Sequence, residues 1–257
     1  MPSLDENREM WNAWNWQTSG HEWSAPWGTA DDQWVSTILP RIFSLLPTSS
    51  ILEIAPGSGR WTPYLLNNSE RYIGIDIIES LVLHCRRVFG ALRSHPIFLL
   101  GDGFRFDMVH DRSISLVFSF DSLVHAEMDC LSAYAAEIYR VLEPGGHAFV
   151  HHSNIGEYVK EGKLTVPNYG WRAQTVTAES ASNAFSDAGL ICLTHEKIKW
   201  VLDDYCDCFS LLQKPKNSNM SPDTKPSIFY NDQFGTEVWL SRIRSEKYTK
   251  PLSERWA

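Results

Sequence analysis

Short apolar runs that end in glycine or aspartate, each followed by a helix-length amphipathic stretch, constrain this chain more than any other feature. Ile51-Leu-Glu-Ile-Ala55 runs into Pro56-Gly57-Ser58-Gly59. Tyr72-Ile-Gly-Ile-Asp76 runs into residues 78–89, where Ile78, Leu81, Val82, Cys85, Val88 and Phe89 form one stripe. Ile97-Phe-Leu-Leu100, Ile114–Phe120 and His147–His152 continue the series, with a helix expected over 129–142 that Glu143-Pro-Gly-Gly146 stops. Such runs are too short for helices and, bounded by turn residues, read as strands buried on both faces. Strands alternating with helices of this length predict a parallel α/β sheet with right-handed crossovers.

The flanks are organised differently. Trp11, Trp14, Trp16, Trp23, Trp27 and Trp34, from a total of 11 tryptophans, crowd the beginning of the chain. Residues 1–30 therefore read as an aromatic arm that packs on the main domain or closes over a ligand pocket. A helix is expected from 31 to 46, capped by Asp31 or Asp32 and kinked or split by Pro40. Residues 153–176 read as a loop or insertion, 178–188 as a helix ended by Gly189, and 190–200 and 205–213 as two late strands. The main domain thus spans 31–213. Residues 214–226 have the polar, proline-punctuated composition of a linker. The extension 227–257 is apolar again, and it either covers the site or exchanges between subunits of a homo-oligomer.

Composition narrows the function classes. A net charge of −8 over 257 residues argues against broad nucleic-acid or anionic-membrane binding. No apolar run is long enough to cross a bilayer, and the acidic start lacks the apolar stretch of a secretory signal. The five cysteines have neither zinc nor disulfide spacing, and Cys206 and Cys208 read as core residues; a reducing cytoplasm is the expectation.

The chemistry concentrates at strand ends. Glycines in Glu53-Ile-Ala-Pro-Gly57-Ser-Gly59 let the backbone turn tightly beneath a ligand. Asp76 ends the second strand, where a carboxylate accepts both hydroxyls of a ribose. Asp102, in Gly101-Asp-Gly103, ends the third and is placed to take an adenine amino group. A nicotinamide dehydrogenase is disfavoured: Thr62 stands where the third glycine would be, and Glu53 is awkward beside a pyrophosphate. A ligand with a sulfonium or ammonium group and no phosphate suits that carboxylate better.

In order and spacing, Leu52–Trp61, Tyr72–Asp76, Gly101–Gly103 and Val141–Gly146 resemble the motifs of class I S-adenosylmethionine-dependent methyltransferases. The resemblance covers roughly residues 31–213. It implies a Rossmann-like seven-stranded sheet with its last strand antiparallel and S-adenosylmethionine across the strand ends. It places Glu53, Ala55, Gly57, Gly59 and Trp61 around the methionine part. Asp76 falls on the ribose, Asp102 and Gly103 at the adenine, and Ser119 at the end of the fourth strand nearby. Ala55-Pro56 departs from the usual residues before the first loop glycine, removing one donor.

Methyl transfer from a sulfonium needs positioning above all, and an alcohol acceptor needs its proton removed. His125 and Asp121, after the fourth strand, and His152, at the end of the fifth, are the candidates; Asp121 would position the base or a metal. Of the pair His151-His152, strand alternation sends one side chain to each face, and His152 is the one expected in the site. Trp23, Trp171 and Arg172 are candidate substrate contacts. The layout also resembles that of catechol-type and sugar O-methyltransferases, which makes Mg²⁺ an option. The reading is an O-methyltransferase of a hydroxylated small molecule such as a sugar. Its alternatives are an N-methyltransferase of a small amine and a non-catalytic cofactor-binding module.

Overall fold

The computed structural model describes residues 3–16, 20–21, 27–92, 94–200, 203–217 and 226–248. Strands β1 (Thr48–Ile54), β2 (Ser69–Asp76), β3 (Ile97–Leu100), β4 (Ile114–Ser119) and β5 (Leu142–Ser153) carry the predicted series. A two-stranded hairpin follows, β6 (Val159–Lys160) and β7 (Lys163–Leu164). Then come β8 (Ile191–Ile198), β9 (Asp207–Gln213) and β10 (Ser227–Asn231). The sheet order is β10-β8-β9-β5-β4-β1-β2-β3. Every neighbouring pair is parallel except those made by β9, which runs antiparallel to β5 and β8. The antiparallel late strand is as expected; the strand number is not. The sheet has eight strands, because β10 in the C-terminal extension adds to the edge of β8.

Both faces of the sheet are covered, which is why its strands are apolar throughout. On one face Leu52, Ile54, Val117 and Val150 pack under α6 (Met128–Val141) and α7 (Ala178–Asp187). On the other, Ile51, Leu116, Phe118, Phe149 and Phe209 meet α5 (Glu79–Phe89) and the helical segment before β1. That segment is split as Pro40 foretells. It comprises α2 (Ala30–Gln33), a π turn (Trp34–Ile38), α3 (Leu39–Ile42) and a 3₁₀ turn (Phe43–Leu45). The Leu39 amide reaches back to the Trp34 carbonyl, and the widened turn accommodates Pro40 in the first turn of α3. The cap is neither Asp31 nor Asp32 but Thr29, whose hydroxyl accepts from the Asp32 amide while Asp32 accepts in return.

Residues 4–13 form helix α1, opened by a capping box of Ser3 and Glu6, and α4 (Thr62–Leu66) follows the glycine loop. The last helix is α8 (Phe234–Tyr248), with Phe234 and Val238 buried. Among the described residues, no helix is long and apolar enough to cross a membrane.

Candidate active site

The β1 exit defines the site. Ala55 takes a left-handed φ of 54°, with its amide donating to the Ile75 carbonyl at 2.7 Å. Gly57 follows at φ 59°, and a methyl group there would come within 3.2 Å of the Trp16 ring. Gly59, at φ 89°, backs onto Phe89, which leaves no room for a side chain. The loop is tied to the next strand end because Asp76 Oδ2 accepts the Gly57 amide at 3.0 Å. Asp76 Oδ1 accepts from the Ile78 amide at 2.9 Å. Burial pushes the Asp76 carboxyl up to about 6, against the pull of these amides.

Above this edge lies a cavity of about 330 Å³, within the size range of small-molecule sites. Ala55, Gly57, Trp61 and Asp76 line it, together with Ile77, Ile78, Phe104, Phe120, Asp121, Ser122 and His125. The N-terminal arm closes it through Leu4, Asn7, Trp11 and Trp16. Asn7 Nδ2 donates to the His125 carbonyl at 3.2 Å, and the Trp11 ring lies 5.2 Å from the His125 ring. A carboxylate with free lone pairs at the β2 end, flanked by apolar Ile77, Ile78 and Phe104, fits an adenosyl group.

His125 is oriented by one bond. Its Nδ1 lies 3.1 Å from the Trp171 carbonyl, which can only accept, so the proton sits on Nδ1 and Nε2 keeps the lone pair. Burial lowers the His125 pKa, so the ring is neutral at neutral pH. Asp121, at φ 60°, holds its carboxylate 3.8 Å from Arg60. Arg60 lies 4.5 Å over the Trp61 ring and donates to Gln33 and Gly20 at 2.9 and 3.2 Å. Arg60 and Phe104 were not singled out in the sequence. For Arg60 the signal was available: a cation between the glycine loop and an aromatic residue.

Other expected residues stand elsewhere. Glu53 lies beneath the loop, where it accepts from Thr62 Oγ1 at 2.8 Å and from the Tyr72 hydroxyl; burial raises it to about 7. Asp102 turns away from the cavity. Its Oδ1 accepts the Phe104 and Arg105 amides at 2.8 and 2.7 Å, so it closes its own loop. Gly103 accepts from the Cys130 thiol and packs against Leu4, and buried Ser119 bonds with Ser122 Oγ at 2.8 Å.

His152 is outside the cavity too. It is fully buried, with Nδ1 donating to the Ser153 carbonyl at 2.8 Å and Nε2 bonded to Ser210 Oγ at 2.7 Å. Ser210 in turn meets His195 Nδ1 at 2.7 Å. Burial drives His152 down to about 3, the wrong range for a base. The two rings do point to opposite faces, but neither lines the cavity: His152 packs beside Phe185 of α7, and His151 reaches only the loop after β4, accepting the Asp121 amide. Arg172 is no substrate clamp, because both its Nε and Nη2 are spent on Asp207. The Trp171 ring is half-exposed and absent from the cavity wall; its backbone carbonyl is what serves the site. Trp23 lies outside the described residues.

The donor set does not fit Mg²⁺. Among the described residues, the one converging group of three metal-ligating side chains is His152, His195 and Cys208, within 4.8 Å of one another and away from the cavity. Nitrogen and sulfur donors do not suit an ion that takes oxygen.

The sheet order, the antiparallel β9 and a ligand cavity on the β1–β2–β4 edge define a class I methyltransferase fold. Residues 51–146 match a family model described as a methyltransferase domain. Residues 51–146 thus match a methyltransferase domain, set in a chain with the class I methyltransferase fold. Phosphoethanolamine N-methyltransferase 1 of Triticum aestivum is 26% identical over 118 residues, 44% of this chain and 24% of the relative. The protein of the same description from Zea mays is 29% identical over 121 residues, 44% and 23%. The match spans about a quarter of these relatives' length. Among solved structures, an S-adenosylmethionine-dependent methyltransferase from Clostridium acetobutylicum superposes with a TM-score of 0.59 at 13% identity, covering 78% of this chain and 99% of the other. DhpI in complex with SAH gives 0.57 at 18%, covering 83% and 98%. These likenesses bear on the fold.

Proposed function

We propose that the protein transfers a methyl group from S-adenosylmethionine to a hydroxyl of a small molecule, with His125 as general base. The observation that carries this reading is a neutral imidazole in the cavity wall whose Nδ1–H is committed to a backbone carbonyl, which leaves Nε2 as the basic atom. S-adenosylmethionine supplies an already activated methyl group. Asp76 accepts the ribose hydroxyls, Ile78 and Phe104 flank the adenine, and Trp11 and Trp16 exclude water. His125 Nε2 receives the hydroxyl proton as the oxygen attacks, and Asp121 orients the acceptor.

The experiment is calorimetric titration with S-adenosylhomocysteine followed by methylation of an acceptor panel by wild type and His125→Gln. Binding is expected, with the variant's kcat down by about 10²-fold or more and its affinity for S-adenosylhomocysteine kept. Equal kcat in both would remove the base.

N-methylation is the second reading, supported by the relatives and by a cavity wall that includes Asp121, Glu127 and Asp129. The pH profile separates the two. An amine acceptor must lose its own proton, so its rate climbs well above neutral pH; the hydroxyl reaction levels off once His125 is neutral. Binding of S-adenosylhomocysteine without transfer to any acceptor would instead mark a regulatory module.

A further inference from the structure

Behind both side chains assigned to chemistry sits one carboxylate that touches neither. Asp207, the first residue of β9, is fully buried. Arg172 Nε and Nη2 donate to its two oxygens at 2.6 and 2.7 Å, and His151 Nε2 lies 3.4 Å from Oδ2.

One line runs from Arg172 to His125. The Arg172 amide donates to Asn168 Oδ1 at 2.8 Å, its carbonyl accepts from Asn168 Nδ2 at 2.9 Å, and the Ala173 amide donates to the Val124 carbonyl at 2.8 Å. Trp171, held beside these clamps at φ 52°, presents the carbonyl that takes the His125 Nδ1 proton. A second line runs from His151 to Asp121. His151 Nδ1 accepts the Asp121 amide at 3.1 Å, so its proton is on Nε2, 3.4 Å from Asp207 Oδ2 and outside hydrogen-bond geometry, where the carboxylate acts on it by charge. Asp121, like Trp171, is left-handed, at φ 60°. Two non-glycine residues in that region persist only where their surroundings over-determine them, and both sets of constraints end on Asp207.

We propose that Asp207 is the positioning residue of this site: through Arg172 it fixes the Nδ1–H tautomer of His125, and through His151 it fixes the backbone at Asp121. The consequence for turnover rests on His125 being the base; the tautomer itself does not.

The test variant is Arg172→Met/Asp207→Leu, which removes both charges together and leaves no buried ion unpaired. Histidine-selective ¹⁵N NMR reads the tautomers without turnover. Wild type is expected to show His125 as Nδ1–H and His151 as Nε2–H. The double variant is expected to show both rings as tautomer mixtures, with kcat at least tenfold lower and affinity for S-adenosylhomocysteine within threefold of wild type. Asn168→Ala, which loosens the same turn without touching the buried pair, is expected to shift His125 alone. Asp207→Asn, which keeps the shape of the carboxylate and removes its charge, is expected to mix both tautomers and decides the matter if the double variant does not fold. The double variant or Asp207→Asn, once folded, retaining a single Nδ1–H His125 overturns the proposal, as does a wild-type His125 in the Nε2–H form. Failure of every acceptor to react would sink the methyl-transfer reading and leave the NMR result standing.

Discussion

Asp76 shows how one side chain serves two demands. It is buried beneath the cavity, so its carboxyl is pushed up to about 6, yet the ribose contact proposed for it needs the ionised form. The charged form is thus the binding form: affinity is full about one unit or more above 6 and falls as the group protonates. Between pH 6 and pH 5 the Kd for S-adenosylhomocysteine should weaken by about fivefold, the slope approaching one factor of ten per pH unit further down. Asp76→Asn should bind more weakly at pH 7.5 and show no such step; calorimetry across the range checks both, and a flat wild-type profile refutes the assignment. The place of Asp76 at the end of β2, tied to the glycine loop and lining the cavity, was legible because an apolar run ending in aspartate marks a strand end. Asp102 looked the same in sequence, but nothing there showed that two amides of its own loop would claim its carboxylate.

At the level of elements, the strand series could be read closely and the flanks could not. The apolar runs predicted β3 to the residue and β4 to within one, since buried parallel strands leave little freedom in pattern. The extension 227–257 offered only apolarity. Its docking depends on a cluster assembled from remote parts of the chain. Arg41 Nε donates to Glu196 Oε2 at 2.6 Å, Arg41 Nη2 meets Glu237 at 3.0 Å, and Asn231 Nδ2 donates to Glu196 Oε1 at 2.7 Å. Glu196→Ala leaves the largely buried Arg41 without its main partner, and breaking such a pair costs about 3 kcal/mol. Urea unfolding should show that loss, and an unchanged midpoint would mean that the cluster does not hold the extension in place.

For the whole molecule, the question is what the arm contributes. Helix α1, with its Trp11, and Trp16 beyond it roof a site whose floor lies on the sheet edge. Removing residues 1–16 should leave the circular dichroism spectrum that of a folded α/β protein and weaken S-adenosylhomocysteine binding by at least about tenfold, since an open site loses apolar burial and desolvation. Trp11 and Trp16 line the cavity, so ligand should also change tryptophan fluorescence in wild type more than in the truncated chain. Equal affinity in both would reduce the arm to packing.

The amino-acid sequence by itself determined the sheet, its glycine loop and the aspartate at the β2 end, because these depend on local patterns: burial on both faces, tight turns and carboxylates at strand ends. Only the tertiary structure decided which histidine meets the cavity, that Arg172 belongs to Asp207, and that a backbone carbonyl at Trp171 selects the tautomer of His125. Those outcomes depend on which strand faces which layer and on hydrogen bonds between residues far apart in the chain, and no local pattern encodes either.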